Sequence, residues 1–115
     1  MNKEDQILEK LGKMEKKQTK TSVLIFQLDV MLKSDYLGMT QELRKAGVNT
    51  ALYLGDDRTF QAQLSYAIKR EILFVIIYGE EEKKKGVIAV KNLETREQKQ
   101  IRREELVDFF KKNKF

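Results

Sequence analysis

The 115 residues include no cysteine, no histidine and no proline. Without cysteine there is no disulfide and no thiol chemistry, and without histidine there is no imidazole base; both absences remove the ligands of most transition-metal sites. The longest apolar run, residues 72–78, is far shorter than the roughly 20 residues that cross a bilayer. The first residues also lack the apolar stretch of a secretory signal. We therefore expect a soluble, cytoplasmic, single-domain protein with no metal site and no membrane contact.

Charge, by contrast, is abundant. The chain has 23 Lys and Arg against 18 Asp and Glu, a net charge of +5 and a pI near 9.4. The excess lies at the two ends of the chain, since residues 1–20 carry +2, residues 21–90 are neutral and residues 91–115 carry +3. A basic balance is compatible with nucleic-acid binding. An ordinary solvated surface is the alternative explanation.

Three apolar segments alternate with helical patterns in the first two thirds of the chain. Residues 22–28, 49–54 and 72–78 are predicted strands. Ser34 or Asp35 is expected to cap the first intervening helix, and Thr59 the second. Strands joined by helices of about a dozen residues are parallel and covered on both faces. This explains why residues 72–78 are apolar without alternation, and it predicts a central position for that strand.

The ends of the chain complete the predicted organisation. Residues 86–93 and 96–101 are expected to form two more strands, followed by a helix that starts near Arg103. Residues 3–17 form an amphipathic helical pattern with a narrow apolar stripe, at Ile7, Leu8, Leu11 and Met14. A polar linker follows it. We therefore divide the chain into an N-terminal helix and linker, residues 1–21, and a folded domain, residues 22–115.

No catalytic constellation is visible in the sequence. The acids occur as direct neighbours, Asp56–Asp57 and Glu80–Glu82, which suits solvated turns better than a positioned acid–base pair. The segment GDDRTF, residues 55–60, lacks the spaced glycines and the lysine of a phosphate-binding loop. We expect no catalytic residues, and we expect the isolated chain not to be an enzyme.

A binding surface is predicted beyond the carboxyl ends of the parallel strands, where ligands of open α/β sheets tend to bind. Polar side chains that can contact phosphates or unstacked bases lie on or near the helix that follows the second strand. The candidate RNA-binding residues are Arg58, Gln61, Gln63, Tyr66, Lys69 and Arg70. The alternative for each is the polar face of an ordinary helix.

Five segments occur in an order that resembles a known family. They are ELRKAGV (42–48), FQAQLSYAIK (60–69), FVIIYGEEE (74–82), GVIAVKNLETREQ (86–98) and IRREELVDF (101–109). With their spacing, they resemble the C-terminal anticodon-binding domain of histidyl-tRNA synthetase, a class II aminoacyl-tRNA synthetase, over about residues 22–112. Residues 1–21 then resemble the join between that domain and a catalytic domain.

This resemblance implies an α/β fold: a three-layer α/β/α sandwich with a five-stranded mixed sheet in the order 2-1-3-4-5, in which strand 4 is antiparallel. It implies that the chain binds tRNA, with the anticodon stem-loop of histidine tRNA as the expected partner. The acceptor end of the tRNA would then reach a class II catalytic domain carried elsewhere in a histidine–tRNA ligase. ATP and histidine would bind that catalytic domain, so no cofactor is expected in this chain.

The chain departs from the family pattern at several positions. Family members usually have lysines where Gln61 and Ala62 stand, and commonly aspartate where Ile68 stands. Proline is common in place of Leu73. Glycine is common near Arg70–Glu71 and in the turn that contains Arg96. The missing lysines weaken the argument for phosphate contacts at the start of the second helix.

Two further hypotheses stay open at this stage. The first is a synthetase-like domain that has kept the fold for regulatory or protein contacts, as in the regulatory subunit of ATP phosphoribosyltransferase or in synthetase-like kinase regions. The second is a small protein that forms a homodimer through residues 3–17. Salt dependence separates them from RNA binding, because phosphate contacts weaken steeply as salt rises and an apolar interface does not.

Overall fold

The structure, a computed structural model, describes residues 21–112. The helix predicted over residues 3–17 lies outside these residues. Single 3₁₀ turns, Val30–Leu32 and Arg103–Glu105, lead into the first and the last long helix. The elements follow one another as β1 (Val23–Ile25), α1 (Lys33–Lys45), β2 (Thr50–Leu52), α2 (Phe60–Lys69), β3 (Phe74–Ile77), α3 (Glu80–Lys85), β4 (Val87–Asn92), β5 (Gln98–Arg102) and α4 (Leu106–Lys112).

The five strands form one mixed sheet. β1 lies between β2 and β3 and pairs with both in parallel, with Val23 opposite Thr50 on one side and Phe74 on the other. β4 is antiparallel to β3 and to β5. The order β2-β1-β3-β4-β5 confirms the sheet implied by the family resemblance. It also confirms that the strand in residues 72–78 is an interior one.

The helices cover the sheet on both faces, which confirms the three-layer α/β/α sandwich. On one face Ile25, Phe74 and Ile76 pack with α1 and α4 in a single buried cluster. On the other face Leu24 and Val75 pack with α2. Successive residues of β3 therefore enter opposite layers, and Phe74, Val75 and Ile76 are all buried. An apolar residue at every position of β3 is what this double burial requires.

The start of α1 differs from the prediction. Neither Ser34 nor Asp35 caps α1, because a 3₁₀ turn precedes the helix. The N-cap of that turn is Asp29, whose carboxylate accepts from the Met31 N–H at 2.9 Å. Leu37 on α1, although apolar, is 44% exposed. Met39 is fully buried in the core instead. The cap predicted for α2 is confirmed, since the Thr59 side chain accepts from the Ala62 N–H.

We call the end of the sheet at which β1, β2 and β3 finish the carboxyl edge, and the end at which they begin the amino edge. A buried tyrosine holds the carboxyl edge together: the Tyr36 hydroxyl donates to the Tyr78 carbonyl at 2.6 Å and accepts from the Asp29 N–H at 3.2 Å. Burial raises the pKa of the Tyr36 phenol above its ordinary value. The hydroxyl thus links the ends of β1 and β3 to α1.

Two side-chain-bearing residues adopt left-handed backbone conformations. Glu71, in the turn from α2 to β3, has a φ of 57°, and Arg96, in the turn between β4 and β5, has a φ of 68°. Residues with a Cβ rarely adopt this conformation, because the Cβ approaches the following carbonyl. The resembling family commonly has glycine near Arg70–Glu71 and in the turn that contains Arg96. The chain has therefore kept the backbone of these turns without the residue that best fits them.

Glu71→Gly and Arg96→Gly are each expected to raise the free energy of unfolding by about 0.5–1 kcal/mol. The strain of roughly 1–2 kcal/mol for an L-residue in this region is relieved, and the greater freedom of glycine in the unfolded chain offsets part of the gain. Urea unfolding curves measure the change. Glu71→Ala and Arg96→Ala are the matched controls, because they remove the charge and keep the Cβ. A stabilisation by alanine equal to that by glycine contradicts the backbone explanation.

A second prediction concerns the ion pair between α1 and the 3₁₀ turn before α4. The Arg103 guanidinium donates to both carboxylate oxygens of Glu42, at 2.7 and 3.0 Å, and these hydrogen bonds lower the pKa of Glu42. A carboxyl group whose pKa is lowered on folding stabilises the protein at neutral pH, and the contribution is lost as pH falls through that pKa. Because Glu42 is half exposed, Glu42→Gln should cost only about 0.5–1 kcal/mol at pH 7.

Urea unfolding of the parent and of Glu42→Gln at several pH values tests this. The difference between them should disappear in acid. Glu104→Gln is the control, since Glu104 lies 3.8 Å from Arg102 with both side chains largely exposed, and such pairs contribute little. A Glu42→Gln difference that persists unchanged in acid would show that the effect is not that of the charge.

Candidate nucleic-acid interface

The loop between β2 and α2 holds the first candidate residue, Arg58, in place. The Tyr53 hydroxyl donates to the Asp57 carbonyl at 2.7 Å, and a Cβ at Gly55 would clash with the same phenol. The Asp57 carboxylate accepts from the Thr59 N–H, a hydrogen bond that lowers the pKa of Asp57. The backbone of this loop is thus fixed at several points. The Arg58 side chain extends from it into solvent.

Gln63 is not at the surface, which corrects the prediction that placed it beside Arg58 as an RNA contact. Its side chain is fully buried. The amide oxygen accepts from the Gln27 N–H at 2.7 Å, and the amide nitrogen donates to the carbonyls of Gln27 and Arg58 at 2.9 and 3.0 Å. Gln63 therefore satisfies the backbone beyond the end of β1. Its position three residues after Phe60, whose ring contacts Phe26, and four before the buried Ala67 was the sequence signal for this burial.

The exposed candidates on α2 point in different directions. Gln61 and Tyr66 are five residues apart, so their side chains leave the helix about 140° apart. Gln61 is exposed on the same flank as Ile68, which is 57% exposed. Lys69 is exposed at the end of the helix, and Arg70 follows it. The structure therefore brings Tyr66 and Arg70 together and leaves Gln61 on another face.

Tyr66 and Arg70 form a small stacked surface. The Arg70 guanidinium carbon lies 4.8 Å from the centre of the Tyr66 ring. The Tyr66 ring in turn meets Tyr53 edge to face, with 5.4 Å between ring centroids. Tyr66, which contacts the Tyr53 ring and the Arg70 guanidinium, forms with Arg70 a pair of planar groups of the kind on which unstacked RNA bases stack. This pair is the part of the candidate set with the clearest geometry for RNA.

A cleft runs beside Tyr66 along β2, the outermost strand on one side of the sheet. Its volume is about 530 Å³, and it is lined by α1, β2, the following loop and α2 through Leu37, Thr40, Arg44, Ala51, Leu52, Leu54, Gly55 and Tyr66. Arg44 is anchored, since its Nε donates to the Thr50 carbonyl at 2.8 Å. Sequence analysis missed Arg44 and Leu54 as site residues. Only the sheet order could have indicated them, because β2 is an outermost strand and no further strand covers its outer side.

Between residues 21 and 112, no three His, Cys, Asp or Glu side chains are grouped so that they could hold a metal ion. In the same stretch, no helix has both the length and the apolar character needed to span a bilayer.

The sheet order and the helices on both faces define an α/β/α sandwich domain, and comparison with known proteins specifies the class. A family model described as "Anticodon binding domain" matches residues 22–113. The chain belongs to the anticodon binding domain family. The individual relatives to which the chain is similar are named histidine–tRNA ligase.

Three of these relatives are bacterial proteins named histidine–tRNA ligase. The one from Ruegeria sp. (strain TM1040) is 39% identical over 71 residues, which are 62% of this chain and 14% of the relative. That from Bradyrhizobium diazoefficiens is 36% identical over 83 residues, 72% of this chain and 16% of the relative. The protein from Xylella fastidiosa (strain M23) is 32% identical over 89 residues, 77% of this chain and 19% of the relative. The chain thus spans less than a fifth of the length of each.

Solved structures agree. Histidyl-tRNA synthetase from Nostoc sp. PCC 7120 superposes with a TM-score of 0.76 at 27% identity, covering 84% of this chain and 22% of that one. The apo synthetase from S. aureus gives a TM-score of 0.75 at 22% identity, covering 85% of this chain and 25% of that one. The RNA binding domain of threonyl-tRNA synthetase from Cryptosporidium parvum gives 0.72 at 12% identity over 81% of this chain and 23% of that one. The last two establish similarity of fold alone.

The buried amide of Gln63 yields a stability prediction. Gln63→Leu is expected to lower the free energy of unfolding by about 2–4 kcal/mol, because it leaves buried N–H and C=O groups of the backbone without partners. Gln61→Leu, two residues earlier and exposed, should change it by less than about 0.5 kcal/mol. Urea unfolding followed by circular dichroism compares the two. Equal effects of the two substitutions would show that the Gln63 hydrogen bonds do not hold the end of β1.

Proposed function

We propose that this chain is the tRNA-binding module of a histidyl-tRNA synthetase, and that it binds the anticodon stem-loop of histidine tRNA. The observation that carries the proposal is the match of residues 22–113 to the anticodon binding domain family. It is supported by the exposed Arg58 just before α2 and the Tyr66–Arg70 pair at the end of α2. Bases in RNA loops are read by stacking and by polar contacts to their edges, which needs no catalytic side chain. The domain itself then has a positioning role and performs no chemistry.

The stacked pair supplies the base contact in this proposal. Tyr66 lines the open cleft beside β2, so an unstacked base entering the cleft meets the ring and the guanidinium of Arg70. Arg58 and Lys69 lie near opposite ends of α2 and offer cations to the flanking phosphates. Gln61, on the other flank, is available for a polar contact at the start of the helix. Gln63 contributes only by fixing the backbone of Arg58.

The remainder of the proposed enzyme is a class II catalytic domain, to which ATP and histidine bind. Support comes from the length of the relatives, of which this chain spans 14–19%. Support also comes from large apolar side chains that the domain leaves exposed, with Met31 at 84%, Leu54 at 79% and Val30 at 66%. Exposed apolar groups of this size suit contact with further protein. Charging of tRNA would place the protein in the cytoplasm.

The regulatory alternative has less support. The relatives described above are named histidine–tRNA ligase and share 32–39% of aligned residues with this chain. The main argument for the regulatory alternative is that Gln61 and Ala62 stand where the family usually has lysines. Ala62 is half-buried, however, so only the Gln61 position offers a fully exposed side chain for a phosphate contact. Homodimer formation through residues 3–17 stays a prediction.

Binding of two RNA hairpins to the 115-residue chain tests the proposal. Fluorescence anisotropy should show tighter binding to the histidine anticodon stem-loop than to the same stem with a scrambled loop. Tyr66→Leu should weaken binding to the histidine stem-loop about tenfold, since stacking of a base on an aromatic ring contributes roughly 1–3 kcal/mol.

Tyr66→Phe is the matched control and should bind like the parent, because it keeps the ring. Circular dichroism verifies that the variants fold. If the parent binds the two hairpins equally, or binds neither, the chain does not recognise the anticodon. If Tyr66→Leu and the parent bind the histidine stem-loop equally, Tyr66 is not the stacking residue.

A further inference from the structure

The topology brings the ends of three helices to the amino edge of the sheet. α1 and α2 each return from the carboxyl edge of one parallel strand to the start of the next. α4 ends at the same place, because the rings of Phe110 and Phe109 contact Phe74, the first residue of β3, with centroids 5.3 and 6.4 Å apart. The turn between β4 and β5 joins them there, where the Leu93 N–H donates to the Leu73 carbonyl at 2.8 Å.

These segments are strongly basic. Residues 44–49, 69–73, 91–99 and 111–112 together hold nine Lys or Arg and three Glu: two cations at the end of each helix and three in the hairpin. The segments that form the carboxyl edge, residues 26–35, 53–61, 78–86 and 102–105, hold seven Lys or Arg and nine Asp or Glu. Charge is therefore separated across the sheet, with a positive excess of six at the amino edge and a slight negative excess at the other.

Ion pairing sharpens this separation. Lys83, Arg102 and Arg103, all from the carboxyl-edge segments, pair with carboxylates at 2.7–3.9 Å. Within residues 21–112, none of the nine cations of the amino edge forms an ion pair. Their charge is thus less neutralised by neighbouring carboxylates than that of the cations at the opposite edge.

Helix dipoles explain only part of the pattern. Cations at the ends of α1, α2 and α4 are favoured by the partial negative charge of each helix end, which amounts to about half an elementary charge. Three such ends offset only about a quarter of the positive excess. Arg96 and the other two cations of the hairpin have no helix end to complement. Arg96 also projects from a left-handed turn held by its own N–H, which donates to the Asn92 carbonyl at 2.7 Å.

We propose that the amino edge is a second RNA-binding surface, which contacts the sugar–phosphate backbone of the stem and extends from Arg44 and Arg70, beside the base-contacting cleft, to the hairpin and the end of α4. This inference rests on the proposed tRNA-binding function and adds residues to it that the sequence analysis did not assign. Cations from the hairpin and from the ends of several helices, on a rigid edge, form the kind of surface that neutralises phosphates without reading sequence. Arg96, Lys99 and Lys111 are the residues by which we test it.

The test compares two triple variants of the 115-residue chain with the same change in net charge. Arg96→Gln/Lys99→Gln/Lys111→Gln removes cations from the amino edge. Lys33→Gln/Lys84→Gln/Lys85→Gln removes exposed cations from the carboxyl edge. Affinity for the histidine anticodon stem-loop is measured from about 50 to 200 mM salt. Thermal melting establishes that both variants are folded.

The amino-edge variant should bind about 30-fold more weakly than the parent near 0.1 M salt. The slope of log affinity against log salt should fall in magnitude by about 2–3, because each lost phosphate contact contributes roughly 0.7–0.9. The carboxyl-edge variant should stay within about threefold of the parent. The scrambled-loop hairpin should lose the same factor as the histidine hairpin, since the contacts are to the backbone.

Each other outcome counts against one proposal or both. An amino-edge variant that binds like the parent, or a carboxyl-edge variant that loses as much, overturns the second surface and leaves anticodon binding intact. A parent with no preference between hairpins, but with the expected loss in the amino-edge variant, overturns anticodon recognition and supports the backbone surface. A parent that binds neither hairpin at 50 mM salt overturns both.

Discussion

Burial of β3 on both faces is the constraint on which the rest of the domain depends. Phe74 and Ile76 lie in one core layer and Val75 in the other, so the sheet is stable only with helices on both sides. Parallel pairing of β1 with β2 and β3 supplies those helices, because each crossover has to return along the sheet. The position of every candidate binding residue follows from this arrangement of layers and connections.

The same constraint decides where charge accumulates. Along the chain, the basic excess lies at the two termini, with a neutral middle. In the folded domain, the charges of this neutral middle part are separated. Its first two helices end at the amino edge, and its acid-rich turns lie at the carboxyl edge. The first helix illustrates this: Asp35 is in its first turn and Arg44 and Lys45 are in its last. A surface that no linear charge profile shows is therefore assembled from four separate segments.

The sequence predicted the five strands, the interior position of β3 and the cap at Thr59. Strand ends were less predictable, since the apolar run extends beyond the hydrogen-bonded residues and β1 has only three residues in regular pairing. The candidate site was predicted in part. Tyr66 and Arg70 lie together as a stacked pair. Gln63, by contrast, lies on the inward face of its helix, where its amide hydrogen-bonds to backbone groups. The polarity of a side chain does not reveal whether it hydrogen-bonds to buried backbone groups or is exposed to a ligand.

The sequence by itself determined the class of fold and the family, because apolar periodicity and the order of five motifs are local properties of the chain. It also marked the stretch Arg70–Glu71 and the turn that contains Arg96 as places where the resembling family commonly has glycine. Only the tertiary structure showed that both residues adopt left-handed conformations, since φ depends on how the turn joins its neighbours. Only the tertiary structure decided which polar residues face solvent and which cations share an edge. Those properties arise from contacts between segments far apart in sequence, and the sequence order alone does not specify them.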